Sequence, residues 1–255
     1  MLINKKVELV VKPCSSCDEN IGFITINNPP VNSLSIDLVQ NMDKLLDNIS
    51  KDLKVLVFKS EGKGFCAGAD LKERASMNDN EVIKVVDSYK FLFSKICNLP
   101  CPTIAAIQGY AIGGGLELAL ACDFRFSTAD SVLSFPETNL GIIPGAGGTQ
   151  RLSRLIGLSK AKKWIFTADK FTAKQALRDS VIDKVFDDQN SMTHHIERFS
   201  CKISRNSQRA ISSAKKSINY TSNHSLAEGL NFEREEYLKT LNDPLRIEKL
   251  KEFKK

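Results

Sequence analysis

Three short segments hold the residue types that chemistry needs. The first, Gly64-Phe65-Cys66-Ala67-Gly68-Ala69-Asp70-Leu71, sets small residues between a strand pattern and a helix pattern. The second, Gly113-Gly114-Gly115-Leu116-Glu117, opens a helix directly after a strand. The third runs from Phe135-Pro136-Glu137 to Leu140-Gly141-Ile142-Ile143-Pro144-Gly145. Glycine lets backbone approach a ligand closely. A helix start leaves N–H groups unpaired and its dipole positive. Two such N–H groups from separate loops can converge on one oxygen as an oxyanion hole, where one donor is worth roughly 10²–10³ in rate. Glu117 falls in the first turn of its helix, near where that oxygen would lie. Glu137 follows Pro136 in a loop. Two carboxylates facing one substrate can divide acid and base work. Singly, each feature has a structural use, because a Glu in a first helical turn also complements the dipole. Their order and spacing together point to chemistry.

Other chemistries find less support. His194, His195 and His224 all lie in the helical tail with no nucleophile patterned beside them. The pair His194-His195 reads as solvated helix surface. No Gly-x-Ser-x-Gly elbow and no His-Glu-x-x-His occurs. Cys14-x-x-Cys17 sits in an expected hairpin loop with no second pair downstream, so no metal site is expected. Gly145-Ala146-Gly147-Gly148-Thr149 looks phosphate-like but lacks the Walker lysine and the dinucleotide spacing.

The elements that must position these segments alternate. Val7 to Lys12 and Ile21 to Ile26 read as strands, with turn chemistry between them. An amphipathic helix runs from Ser35 to about Ser50, with Leu38, Met42, Leu45, Leu46 and Ile49 on one face. Val55 to Lys59 is a buried strand, followed by a Gly-rich loop from Glu61 to Asp70. A long helix spans Asp79 to Leu99. Pro102 to Ile107 is a strand, Gly114 to Cys122 a helix, and Asp123 to Ser127 a strand. This alternation predicts crossover units and a largely parallel sheet. From Thr149 onward the signals are almost only helical, with one short strand near Val181 to Phe186. The expected class is therefore α/β with a helical C-terminal part.

Composition excludes several classes. With 255 residues, 42% hydrophobic and 26% charged, the chain is no disordered tail, collagen-like fibre or small disulfide-stapled domain. The net charge is +6, and residues 201–255 carry twelve Lys/Arg against seven Asp/Glu, so the excess lies at the end. Seven scattered cysteines, with no secretory pattern before them, predict a reducing compartment. That is the cytoplasm, or the mitochondrial matrix after loss of a transit peptide. Residues 102–122 are long enough for a bilayer and carry one charge, Glu117. Three glycines, Gln108 and a carboxylate costing up to about 2.5–3.5 kcal/mol there favour a buried strand and helix instead. No membrane partner is expected.

Longer stretches around the same residues resemble a known family. They are Cys66-Ala67-Gly68-Ala69-Asp70-Leu71-Lys72-Glu73-Arg74-Ala75, residues 102–119 from Pro102 to Ala119, and residues 142–152 from Ile142 to Leu152. From Val7 to the last helix the chain resembles the enoyl-CoA hydratase/isomerase (crotonase) superfamily. The run from Ala69 to Ala75 is most similar to the methylglutaconyl-CoA hydratase, or AU-binding, branch. The resemblance implies a crotonase-like spiral of strand-strand-helix repeats over residues 1–195. It implies a helical trimerisation region over residues 196–255, with homotrimers commonly paired into hexamers. It also implies an acyl-CoA thioester substrate and no cofactor beyond the CoA of that substrate.

Carried over by motif, the backbone N–H groups of Ala69 and Gly114 hold the thioester oxygen. Ala67, Ala69, Asp70, Leu71 and Lys72 line the CoA channel. Glu117 and Glu137 match the family's two catalytic glutamates. Members that move a double bond usually keep only the second. Both acids together therefore imply hydration of a 2-enoyl-CoA to a 3-hydroxyacyl-CoA, with Glu117 activating water and Glu137 supplying the proton at C2, or with the roles shared or swapped through one bridging water. Arg74, Phe135, Leu140 and Ile142, with Glu73 and Ala75, are candidates for the acyl wall. Arg74 either meets a free carboxylate on a glutaconyl group or is a surface arginine. Isomerisation and a specific 3-methylglutaconyl-CoA hydratase remain alternatives. The resemblance also raises RNA binding, because the AU-binding relatives carry a comb of lysines on the helix after the first hairpin. The matching positions are Ile36, Gln40 and Lys44, so one lysine of that comb is present and nucleic acid is not an expected partner.

Overall fold

Alternating strand residues send apolar side chains to both sides of one sheet. The computed structural model describes residues 6–14, 17 and 19–253. Strands β1 (Val7–Pro13) and β2 (Asn20–Ile26) form the expected antiparallel hairpin. After the two-residue strand β3 (Ser33–Leu34) comes helix α1 (Ile36–Asp47), where the Ser35 hydroxyl accepts the Leu38 N–H at 3.3 Å. That cap supplies one of the acceptors a helix start lacks. β4 (Val55–Ser60) leads through the small-residue loop to β5 (Gly68–Ala69), α2 (Leu71–Ala75) and α3 (Asp79–Cys97). Next come β6 (Thr103–Ile107), β7 (Tyr110–Ile112) and α4 (Gly114–Leu120). β8 (Phe124–Thr128) and β9 (Val132–Ser134) precede a 3₁₀ turn over Pro136–Leu140.

The second half contains α5 (Gly148–Ile156), α6 (Leu158–Phe166), β10 (Lys170–Thr172), α7 (Ala173–Arg178) and β11 (Lys184–Phe186). Four helices end the described chain: α8 (Gln189–Ser204), α9 (Gln208–Tyr220), α10 (Leu226–Thr240) and α11 (Pro244–Glu252). β10 is a strand the sequence did not signal. It is three residues long and pairs antiparallel with β9, so partner edge rather than propensity defines it. β11 starts later than expected, because Val181 and Ile182 are buried in the turn before it. The expected change of region at 195/196 falls inside α8, which is continuous.

The main sheet has the order β1-β2-β4-β6-β8-β11, parallel except for β1. The short second strands form their own layer, β10-β9-β7, and β3 pairs with β5. Each turn of the chain thus lays one long strand and one short strand before its helix or 3₁₀ turn. This is the crotonase-like spiral. Along β4, Leu56 and Phe58 point into the larger core, while Val55 and Val57 point into a second core. The larger core lies against α1, α3 and α4. The second core is closed by α8 through Met192, Ile196 and Cys201. A sheet buried on both faces explains why these strands read as unbroken apolar runs.

His195 is half-buried and packs its ring against the edge of that second core. Its ring lies 5.1 Å from Phe126 and 4.9 Å from Phe186 between centroids. Burial, with Lys184 and Arg198 nearby, holds it below the usual histidine range.

Candidate active site

Consecutive turns of the spiral bring the three chemical segments together. The loop of residues 64–70 docks on β7: Phe65 N–H donates to the Tyr110 carbonyl at 2.9 Å and Ile112 N–H to the Cys66 carbonyl at 3.0 Å. Gly68 has φ +85°, and a β-carbon there would sit 2.7 Å from the Ile112 carbonyl oxygen. Only glycine allows that backbone and that approach. A β-carbon on Gly114 would lie 3.6 Å from Gly68 Cα and 3.7 Å from Ala69 N. The two expected amide donors therefore sit side by side. Gly114 is also the first residue of α4, where an N–H has no acceptor within the helix.

Glu117 lies in the first turn of α4 and is 3% exposed. Its Oε1 accepts the N–H groups of Ala146 at 2.8 Å and Gly148 at 2.7 Å. Burial pushes its carboxyl up, against the opposing pull of these two amides and of Arg151. Arg151 is held by a 2.9 Å hydrogen bond to the Ala146 carbonyl. The glycine run that looked phosphate-like is thus an anion cradle, and the anion is an internal carboxylate. The signal was present in the sequence as glycines opening a helix; its partner, Glu117 in another helix, was not.

Glu137 sits in the 3₁₀ turn and is 9% exposed. It lies against Gly113: a β-carbon there would stand 2.5 Å from Glu137 Oε1. Gly113 has φ +51° and ψ −121°, a conformation glycine alone adopts readily. Glu137 Oε2 is buried with no hydrogen-bond partner among the described residues. Burial, together with repulsion from Glu117, raises its carboxyl to about 7 in spite of its own backbone N–H. The two acids are therefore close enough to feel each other, yet their environments differ. One is gripped by two amides and the other has an oxygen without a partner.

The remaining expected residues divide. Phe135 is fully buried, with its ring edge beside Gly148. Leu140 is 54% exposed and Ile142 is similar, because the 3₁₀ turn ends at left-handed Gly141 and the chain then crosses the surface. Asp70 caps α2: it accepts from Lys72 N–H at 3.0 Å, Glu73 N–H at 3.3 Å and Ser33 Oγ–H at 2.9 Å. Against a burial cost, those bonds and Lys72 hold it below the usual carboxylate range. Its carboxylate shapes the loop through these bonds. Glu73 is taken up by the Ile36 N–H at 3.0 Å. Leu71 and Lys72 are exposed at the loop's rim, Ala67 is half-buried below them, and Ala75 is exposed. Arg74 is half-buried and its charge reaches Tyr89. Among the described residues, no helix is long and apolar enough to cross a membrane.

Similarity to known proteins agrees with this geometry. The profile of the family described as enoyl-CoA hydratase/isomerase matches residues 16–254. The chain is 40% identical over 240 residues to a putative enoyl-CoA hydratase/isomerase, YngF, of Bacillus subtilis, covering 92% of each. It is 42% identical over 247 residues to the mitochondrial methylglutaconyl-CoA hydratase of Homo sapiens, covering 93% of this chain and 73% of that one. A crystal structure of enoyl-CoA hydratase from Bacillus anthracis superposes with a TM-score of 0.90 at 35% identity, over 98% of this chain and 96% of that one. With a matching profile, a matching fold and both acids in place, this chain belongs to the enoyl-CoA hydratase/isomerase, or crotonase, superfamily.

Proposed function

We propose that this protein adds water across the 2,3 double bond of a 2-enoyl-CoA, giving a 3-hydroxyacyl-CoA. The observation that carries the reading is the contrast between the two buried glutamates. Glu117 keeps Oε1 fixed by two amides, which favours its carboxylate form and leaves Oε2 to orient a water. Glu137 holds a proton up to about pH 7 and has a buried oxygen without a partner. In this scheme the Ala69 and Gly114 N–H groups polarise the thioester carbonyl. Water loses a proton to Glu117 and its oxygen bonds to C3. The electrons move to the thioester oxygen as an enolate, which then takes the Glu137 proton at C2. The reaction is redox-neutral, so the residues named here suffice with the CoA of the substrate.

The half-buried Arg74 and the human methylglutaconyl-CoA hydratase relative favour a second, narrower reading. In it the acyl group carries a free carboxylate, as 3-methylglutaconyl does, and Arg74 faces it. Exposed apolar side chains on the last helices support assembly into trimers: Leu226 is 80% exposed and Phe253 85% exposed.

A substrate panel tests both readings: crotonyl-CoA, longer 2-enoyl-CoAs, a 3-enoyl-CoA and 3-methylglutaconyl-CoA, compared by kcat/KM. Hydration is expected to dominate, seen as loss of enoyl absorbance. Conversion of the 3-enoyl substrate alone would overturn it.

A further inference from the structure

The hairpin cysteines do not stand alone. Cys14 and Cys17 lie in the β1–β2 turn, and Cys201 lies in the last turn of α8. Their three sulfur atoms lie within 4.8 Å of one another. Cys14 and Cys201 are buried and Cys17 is half-buried. The sequence hides this trio, because its third member comes from the far end of the chain. It forms because α8 closes the same sheet face that ends at the hairpin.

Small apolar packing is the ordinary use of buried cysteine. Packing alone gives no reason for three sulfurs to converge. Polar groups and one cation line the cluster. Cys17 Sγ lies 3.4 Å from Ser204 Oγ, and Cys14 Sγ lies 3.8 Å from the Glu197 carbonyl oxygen. Arg205, the residue capping α8, places positive charge near Cys201.

We propose that Cys14, Cys17 and Cys201 form a three-thiolate site for a thiophilic closed-shell ion, zinc(II) in the first instance. Zinc–sulfur bonds of about 2.3 Å at tetrahedral angles set sulfurs about 3.8 Å apart. Small side-chain rotations reach that from the present spacing. Each thiol releases its proton to solvent as its sulfur–zinc bond forms, and nothing is oxidised or reduced. Three thiolates and one zinc carry a net single negative charge, which Arg205 offsets. The fourth position opens through half-buried Cys17 to water. Bound there, the ion pins the first hairpin to α8. α4, which carries Glu117, packs on the opposite face of the sheet, so the site acts on stability and leaves the chemistry alone.

The test uses the full chain, reduced and stripped of metal, with zinc ion alone titrated against a chromophoric chelator. Cadmium ion serves as a second probe through its ultraviolet thiolate charge-transfer band. One ion per chain is expected, with a higher Tm when zinc is present. Cys17→Ser, at a half-buried position that tolerates the change, is expected to weaken binding at least about tenfold and remove the cadmium band. Cys97→Ser, outside the cluster, is expected to leave both unchanged. Equal binding by wild type and Cys17→Ser would overturn the proposal. So would a disulfide joining Cys17 to Cys14 or Cys201 in protein held in a glutathione buffer.

Discussion

Glu117 and Glu137 are the same residue type in two different settings, and the settings predict the consequences of changing them. Replacing either by Gln keeps the shape but removes proton transfer. Each variant is expected to lose about 10²–10⁴ in kcat with little change in KM, read by steady-state assay on crotonyl-CoA. In the proposed hydration Glu137 works as the protonated acid, so kcat/KM should fall on the alkaline side of about pH 7. Stability follows the same proton. The folded state holds it more tightly than the unfolded chain, whose carboxyl titrates near 4.5. The folded state therefore loses stability as pH rises from 4.5 to about 7, by at most about 3 kcal/mol. Glu137→Gln should melt above wild type at pH 8 and match it at pH 5, a comparison made by scanning fluorimetry. The sequence named both acids through their glycine-rich surroundings. It did not name Ala146, Gly148 and Arg151 as the partners of Glu117, because a backbone amide has no signature in residue type.

Elements set where these groups can stand. The turn at Gly113 threads the chain between β7 and α4 with Glu137 pressed against it. Gly113→Ala is expected to cost about 1–3 kcal/mol in backbone strain and to displace Glu137. Chemical denaturation and kcat would then fall together, whereas a purely structural loss would leave the kcat of the folded fraction intact. A second tie lies between α9 and the sheet. Lys215 Nζ donates to Asp123 Oδ2 at 2.7 Å and to the Cys101 carbonyl at 3.0 Å. Lys215→Met should lower stability by about 1–3 kcal/mol, measured by urea unfolding. Asp123 retains its bonds from Thr103, which keeps the loss at that size. Elements with long apolar periodicity, such as α1, α3 and the strands of the main sheet, were legible from residue pattern alone. Short pieces were not. β10 exists because β9 offers it an edge, and the role of Asp70 in capping α2 depends on Ser33 arriving from another strand.

At the scale of the whole molecule, exposed apolar side chains occur along the chain, and several stand on the terminal helices. Leu226, Leu230, Tyr237 and Phe253 are all exposed on α10 and the end of α11. Light scattering should give a mass that is a multiple of three chains, and Leu230→Asp should shift it toward single chains with the helical signal retained. The single tryptophan, Trp164, is fully buried and reports on the fold. It stacks on Phe171 at 3.9 Å between centroids and donates to Asp179 at 2.9 Å. The grip on Glu117 has a different kind of reach. Both hands on that carboxylate are peptide groups, so a point change deletes a donor only if it installs proline at 146 or 148. Gly147 and Gly148 leave no room for a side chain, so drift is confined to their neighbours while the grip on that carboxylate persists.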